Sequence, residues 1–244
     1  MNNIEFKKNN NTYKLYNDDC YNLNDYKFKC DLAIIDPPYE LIMGGGGGKC
    51  EISKRMKKRS AELNFISNGF DLSILDMIRT KQKKTNIFCF CSEKQLIKLL
   101  NYAENEKLLY NILIWHKVNP PPLINNTFLP DTEYIVYMRE KGVKINTNYE
   151  NARKVYISDI NVNDKKKFEH LTIKPIPLIN KLMQIGSNED DTILDCFMGS
   201  GSTGISALKL KRNFLGIEIE KKYFDIAKKR IENEINNKTI FDYI

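Results

Sequence analysis

The sequence is short of the residues that build metal and disulfide sites. It has two histidines, His116 and His170, and six cysteines, Cys20, Cys30, Cys50, Cys89, Cys91 and Cys196, with no C-x-x-C spacing among them. A histidine-based metal site has too few ligands to draw on, and four of the cysteines lie in or next to apolar strand-like runs, so buried reduced thiols are expected in place of disulfides or zinc. No apolar run is long enough to span a bilayer, and the polar start Met1-Asn2-Asn3-Ile4-Glu5-Phe6-Lys7-Lys8 has no signal-peptide core; the chain is expected in the cytoplasm. What is there is an ordinary globular composition, 42% hydrophobic and 28% charged, over 244 residues. That length suits one sizeable α/β domain with a small insertion and does not call for two full cores. The net charge of +7 favours an anionic partner, with nucleic acid the leading candidate. Charge alone does not select it, because a Lys- and Asn-rich composition also follows from genome base bias.

One stretch organises the rest: Asp31-Leu32-Ala33-Ile34-Ile35-Asp36-Pro37-Pro38-Tyr39, an apolar strand that ends in a carboxylate, two prolines and an aromatic ring. In open α/β sheets ligands sit beyond the carboxyl ends of strands, so these end residues face a candidate site. Pro37 and Pro38 have fixed φ and no N–H, which leaves the Pro37 carbonyl free to project without a competing donor beside it. Asp36 and that carbonyl form a pair of acceptors suited to an –NH2 group, and Tyr39 offers a face on which a flipped-out base can stack. The bland alternative is a Pro-Pro turn closing a buried strand, with Tyr39 as packing. Four residues on their own do not separate the two.

In chain order, Thr12 to Tyr16 reads as a short strand and Asn17-Asp18-Asp19-Cys20 as the turn leaving it. Asp19 could accept from a ligand amine or hydroxyl, or could cap the following turn. After Tyr39 come five glycines, Gly44 to Gly48, then Lys49 and Cys50; the spacing is not that of a P-loop, which needs glycine at Met43 and a hydroxyl at Cys50. A pentaglycine is costly to order, so residues 44–68 are expected to form a mobile flap. Its basic run Lys54, Arg55, Lys57, Lys58 and Arg59 is read as closing on DNA phosphates, against the alternative of a solvated face. Ser73 to Lys84 has amphipathic helix spacing, Asn86 to Cys91 is a buried strand, and Ser92-Glu93-Lys94-Gln95 has capping-box spacing for a helix to about Glu106. Tyr110 to Trp115 is the next strand, and this alternation predicts a doubly wound, mostly parallel sheet. The proline-rich Val118 to Leu123 is a shaped loop facing the same crevice, Glu133 to Met138 is a strand, and residues 140–167 are polar and could house a small target-recognition insertion.

The third informative stretch is Thr192-Ile193-Leu194-Asp195-Cys196-Phe197-Met198-Gly199-Ser200-Gly201-Ser202-Thr203-Gly204, followed by an Ala/Leu helix. A strand running into F-x-G-x-G and a helix is a nucleotide-binding turn: the glycines let the backbone approach a ligand and the helix N-terminus offers free N–H groups. The turn is tighter than G-x-G-x-x-G, and an amino-acid carboxylate suits those N–H groups. Next, Phe214-Leu215-Gly216-Ile217-Glu218 is a strand with an acid at its tip, placed to hold a ribose diol. The combination fits S-adenosylmethionine better than NAD; a generic dinucleotide turn with a structural acid is the competing reading. Tyr223, Ala227 and Ile231 recur at helical spacing and are read as core.

The D-P-P-Y strand near the N-terminus, followed late in the chain by His170-Leu171-Thr172-Ile173-Lys174-Pro175 and then D-C-F-M-G-S-G-S-T, resembles the amino-group DNA methyltransferases of the β, or permuted, class. The resemblance runs from about Tyr13 to Ile231 and is weakest over the Gly44 to Asn68 flap and residues 140–167. It implies one methyltransferase domain over residues 1–244 with a Rossmann-like fold, S-adenosylmethionine as cofactor and double-stranded DNA as substrate. It also admits a homodimer and a cognate restriction endonuclease. In that family the tetrad is catalytic, which implies Asp36, Pro37, Pro38 and Tyr39. Cofactor contacts are implied at Asp19, Cys20, Asp36, Thr172, Lys174, Asp195, Phe197, Gly199, Ser200, Gly201, Thr203, Glu218 and Ile219. Trp115-His116-Lys117 through Asn119-Pro120 is similar to the segment beside the target base, which implies DNA contacts at His116, Lys117, Asn119 and Pro120. The chain departs from the family in being short for a large recognition domain and in carrying the pentaglycine.

The reaction implied is transfer of a methyl group to the N6 amine of an adenine, whose lone pair is delocalised until two acceptors draw the nitrogen toward a tetrahedral shape. The base must leave the duplex to reach such a pocket. Asp ahead of Pro-Pro-Tyr leans toward adenine over the N4 amine of cytosine on resemblance. Methylation of RNA or a protein glutamine amide uses similar tetrads, but there the glycine turn usually precedes the tetrad. A catalytically silent nucleic-acid-binding subunit commonly loses one of the two motifs, and both are intact here.

Overall fold

The computed structural model describes residues 2–40, 69–120, 128–160 and 173–236. Among these residues nine strands form one sheet. In chain order they are β1 (Asn2–Lys8), β2 (Asn11–Asn17), β3 (Leu32–Ile35), β4 (Asn86–Cys91), β5 (Leu109–Lys117), β6 (Thr132–Arg139), β7 (Val155–Ser158), β8 (Thr192–Asp195) and β9 (Asn213–Glu218). Their order across the sheet is β1-β2-β9-β8-β3-β4-β6-β5-β7. The helices are α1 (Ser73–Thr80), α2 (Glu93–Asn105), α3 (Ile176–Gly186), α4 (Ser202–Lys209) and α5 (Lys221–Asn236), with a 3-10 turn at Cys20–Asp25.

β3 shows why the sheet is covered on both faces. Its four residues are all apolar and all buried, and because side chains alternate along a strand they feed two different cores. Leu32 and Ile34 join Leu178, Leu182, Ala207, Phe224 and Ala227 from α3, α4 and α5. Ala33 and Ile35 join Ile74 and Ile78 of α1 and Leu99 and Ala103 of α2. This is the doubly wound arrangement expected from the alternation of strands and helices.

Strands β2, β9, β8, β3 and β4 run parallel, and β6 lies antiparallel between β4 and β5. At the other edge β1 folds back on β2 as a hairpin through Asn9, which takes a positive φ of 54° that asparagine tolerates. The expected helix over Ser73 to Lys84 stops at Thr80, because Gln82 exchanges two hydrogen bonds with the Asn86 backbone, at 2.9 and 3.0 Å, that seat the next strand. The stretch 140–167 contributes β7 to the sheet edge, parallel to β5, and the 44–68 flap lies outside the described residues. Cys20, Cys30, Cys89, Cys91 and Cys196 are buried with free thiols, and Cys50 lies outside the described residues. No helix among the described residues is long and apolar enough to cross a membrane.

The chain reverses its winding direction at β3. From there it proceeds to β4 on one side, while β8 takes the other side much later. Such a switch point opens a crevice beyond the strand ends. Ala33 pairs with Leu194, so the residues that follow, Asp36 from β3 and Asp195 from β8, emerge side by side.

Candidate active site

Asp36 follows the last residue of β3 and keeps 25% of its side chain exposed. Its Oδ2 lies 2.7 Å from the ammonium of Lys174, and its Oδ1 is 3.0 Å from the hydroxyl of Tyr39. Lys174 sits just ahead of α3, with 7% of its side chain exposed. It also reaches Glu133 Oε2 at 3.1 Å and the Tyr39 hydroxyl at 3.1 Å. Glu133, at the start of β6, holds Lys117 through its other oxygen at 2.7 Å. Two carboxylates, two ammonium groups and a phenol thus form one network at the mouth of the crevice. Burial pushes the Asp36 carboxyl above the usual range, and the nearby Glu133 charge adds to this while Lys174 opposes it. Burial acts on Glu133 in the same upward sense, but the charges of Lys174 and Lys117 overcome it and hold that group at about 2. Burial and two neighbouring carboxylates raise the Tyr39 phenol well above its ordinary range, so it stays protonated.

The loop that carries the tetrad is pinned from α2. Gln95 donates from Nε2 to the Pro38 carbonyl at 2.7 Å while its Oε1 accepts the Ser92 N–H at 3.0 Å. The capping box read from the sequence therefore also positions the tetrad, and it takes the Pro38 carbonyl rather than that of Pro37. Lys174 also lies 5.1 Å from the centre of the Tyr39 ring and 5.0 Å from that of Phe90, distances within the range of a cation–π contact.

On the other side of the crevice β8 ends in Asp195, which is buried with its carboxyl pushed up to about 7 by burial, against hydrogen bonds from Thr203 and the Phe197 N–H. The turn that follows takes positive φ at Gly199 (53°) and Gly201 (82°), a region that glycine enters without a steric cost. A Cβ on Gly201 would meet Ala227 Cβ at 2.9 Å, so the turn is also pressed against α5. Ser200 is held there by Arg230, which donates to its carbonyl at 2.6 Å. Glu218 at the end of β9 is buried, and its carboxylate accepts the Gly199 N–H at 2.7 Å and the Glu220 N–H at 2.8 Å. At the first residue of α4 the Ser202 hydroxyl is buried with no hydrogen-bond partner among the described residues. An unsatisfied hydroxyl beside free helix N–H groups is what a polar ligand at this turn would relieve.

Asp19 and Cys20 border this half of the crevice because the end of β2 is tied to the end of β9. Asn17 Nδ2 donates to the Glu218 and Ile219 carbonyls at 2.8 and 3.0 Å. Asp19 caps the 3-10 turn by accepting the Tyr21 N–H at 3.0 Å. The Cys20 thiol is pushed up to about 12 by burial, with Asp19 and Glu218 adding to the effect. Phe197 packs edge-on against Phe70, with centroids 6.2 Å apart.

Residues 30–229, which include both the acid-tipped strand and the glycine turn, match the model of the N6/N4 methyltransferases, a DNA methylase family. The chain belongs to that family. Among curated relatives, the type II methyltransferase M2.DpnII of Streptococcus pneumoniae is 30% identical over 231 residues, covering 84% of this chain and 83% of that protein. The type II methyltransferase M2.MboI of Moraxella bovis is 26% identical over 245 residues, covering 92% and 89%. Among solved structures, the M1.HpyAVI–SAM complex superposes with a TM-score of 0.65 at 26% identity, covering 89% of this chain and 99% of that one.

In this methylase the residues assigned to DNA by resemblance fall in different environments. Lys117 is 11% exposed at its side chain and is paired with Glu133 in the free protein. His116 lies 3.8 Å from Asp131 on the half-exposed rim. Asn119 accepts the Ile160 N–H at 2.7 Å through its side chain, which ties the end of β5 to the segment after β7, and Pro120 follows it at the rim. Lys54, Arg55, Lys57, Lys58, Arg59 and Thr172 lie outside the described residues. Glu133 and Gln95 were not singled out from sequence. The only signal for Glu133 is an acid at the start of an apolar strand, and for Gln95 it is the capping spacing itself.

Proposed function

We propose that this DNA methylase is site-specific and moves the methyl group of S-adenosylmethionine to the N6 amine of an adenine turned out of double-stranded DNA. The observation that carries the reading is the adjacency of β3 and β8, which opens Asp36 and the Gly199–Gly201 turn onto one crevice. The residues around that turn fit the cofactor. Glu218 presents a buried carboxylate suited to a ribose diol, the unsatisfied Ser202 hydroxyl and the first N–H groups of α4 suit its amino-acid end, and Phe197 with Cys20 and Ile219 walls the adenine side. When bound, the cofactor supplies a methyl group on a positively charged sulfur. Asp19, Asp195, Ser200, Thr203 and the backbone before Lys174 complete that wall.

Asp36 and the Pro37 carbonyl accept the two N–H groups of the target amine. That draws the nitrogen lone pair out of the ring and aims it at the methyl group, a positioning and electrostatic effect with no covalent enzyme intermediate. Asp36 has room for this, because a carboxylate offers about four lone-pair sites and the free protein uses two. Tyr39 contributes a ring face to the everted base. We further propose a cytoplasmic enzyme, with a homodimer and a cognate restriction endonuclease as partners, the basic run within residues 44–68 contacting DNA, and residues 140–167 taking part in target recognition.

The test is expression in a methylation-free host followed by long-read sequencing for modified bases. N6-methyladenine at one recurrent site supports the reading; N4-methylcytosine moves the same mechanism to cytosine, and no modified base overturns it. Asp36→Ala is expected to keep cofactor binding in calorimetry and to lose turnover.

A further inference from the structure

The network around Asp36 contains one proton with two places to go. A lysine ammonium has three N–H donors, and those of Lys174 are taken by Asp36 Oδ2 at 2.7 Å, Glu133 Oε2 at 3.1 Å and the Tyr39 hydroxyl oxygen at 3.1 Å. The Tyr39 hydroxyl has a single proton, yet it stands 3.0 Å from Asp36 Oδ1 and also 3.0 Å from Glu133 Oε2. It can donate to only one of them at a time. Glu133 is itself fixed from the far side by Lys117 at 2.7 Å, and strand pairing of Trp115 with Glu133 sets that contact.

We propose that Glu133 is a positioning residue for methyl transfer: it is the alternative acceptor for the Tyr39 hydroxyl, so that Asp36 exchanges that O–H for an N–H of the target amine without moving. In the free enzyme the Tyr39 proton occupies Asp36 Oδ1 and keeps the carboxylate satisfied. When the amine arrives, the hydroxyl rotates its proton to Glu133 Oε2, and Asp36 stays clamped by Lys174 in the orientation it already had. No bond to a heavy atom forms or breaks in this exchange. The inference rests on the methyl-transfer reading above. It differs from it in assigning the work of preparing Asp36 to a residue that touches neither substrate nor cofactor.

The charged and titratable groups facing Asp36 are Lys174 ahead of α3, Glu133 on β6, Tyr39 on its own loop, Asp195 at the end of β8 and Cys89 on β4. Removing the Glu133 charge takes a negative neighbour from Asp36, so the acid limb of kcat moves to lower pH; removing the Lys174 charge moves it to higher pH. Each change is expected to be about 1 pH unit, the scale of one charge at this range.

The experiment is a double-mutant cycle in kcat between Glu133→Gln and Tyr39→Phe, with pH profiles and S-adenosylmethionine affinity measured alongside. Glu133→Gln is expected to lower kcat about tenfold with cofactor affinity within about twofold, and its effect is expected to shrink to about threefold or less when Tyr39→Phe has already removed the proton that needs a second acceptor. The same loss in both backgrounds, or an acid limb that does not move, overturns the proposal. If Glu133→Gln fails to bind cofactor, Lys174→Gln supplies the test through its upward shift of the limb, and no shift there overturns it too. Absence of methylation by the wild-type enzyme in the same assay would instead defeat the broader functional reading.

Discussion

Asp195→Asn tests the electrostatics of the cofactor side of the crevice. In the folded protein the Asp195 carboxyl is pushed from an ordinary 3.8 up to about 7, first by burial and then by the charges of Asp36 and Glu218. Between those two values the native state holds a proton that the unfolded chain has already released, so stability falls as pH rises through this window. At about 1.4 kcal/mol per pH unit, the gap amounts to about 4 kcal/mol by pH 8. The substitution removes this titration. It also exchanges a group that accepts from Thr203 and the Phe197 N–H for an amide carrying two donors, but that offset does not vary with pH. The expected outcome is a difference in unfolding free energy that grows in favour of Asp195→Asn by about 4 kcal/mol between pH 4 and pH 8, or about 8–16 °C in Tm at 2–4 °C per kcal/mol. Urea unfolding of both proteins without cofactor, over that pH range, measures it. Parallel stability curves for the two proteins would refute the argument, since other carboxylates titrate in both.

Four further outcomes follow from the same geometry. Glu218→Gln removes the charge proposed to hold the ribose diol, and at about 1.5–3 kcal/mol for a charge-assisted hydrogen bond it is expected to weaken S-adenosylmethionine binding by about 10- to 150-fold in calorimetry. Lys117→Ala leaves Glu133 with one cation fewer; it is expected to lower turnover while the slope of log K against log salt for DNA binding stays unchanged, whereas loss of a phosphate contact would reduce that slope by about 0.9. Gly201→Ala places a Cβ at a φ of 82° and 2.9 Å from Ala227 Cβ, and a loss of about 1–3 kcal/mol is expected from thermal unfolding. Gln95→Leu releases the Pro38 carbonyl from its 2.7 Å hydrogen bond and is expected to lower kcat more than cofactor affinity in steady-state kinetics.

What could be read in the sequence was what is local. The four-residue apolar β3 and its acid-Pro-Pro-aromatic tip are contiguous, as are β8 and its glycine turn, so strand, turn and helix follow from composition and spacing within a dozen residues. What escaped depends on register between strands. Glu133 reads only as the first residue of a strand, and the pairing of Trp115 with Glu133 brings it between Lys117 and Lys174. That Lys117 pairs with this acid could not be read either, because a positive charge carries no mark of its partner on a neighbouring strand. The edge strand β1 escaped for a different reason: edge strands face water, so Asn2–Lys8 lacks the apolar run that marks a central strand, and β7 is only four residues long within a polar stretch.

The pairing of Tyr13 in β2 with Phe214 in β9 has a bearing on biosynthesis. The tetrad leaves the ribosome early, but β8, the glycine turn and β9 are made in the last quarter of the chain. Until they dock, the edge of β3 is open and the turn proposed to hold the methyl donor beside Asp36 is missing. On the proposed reading, a nascent or prematurely terminated chain has no methyl-transfer site until translation has delivered the final strand and the two distant segments have found each other.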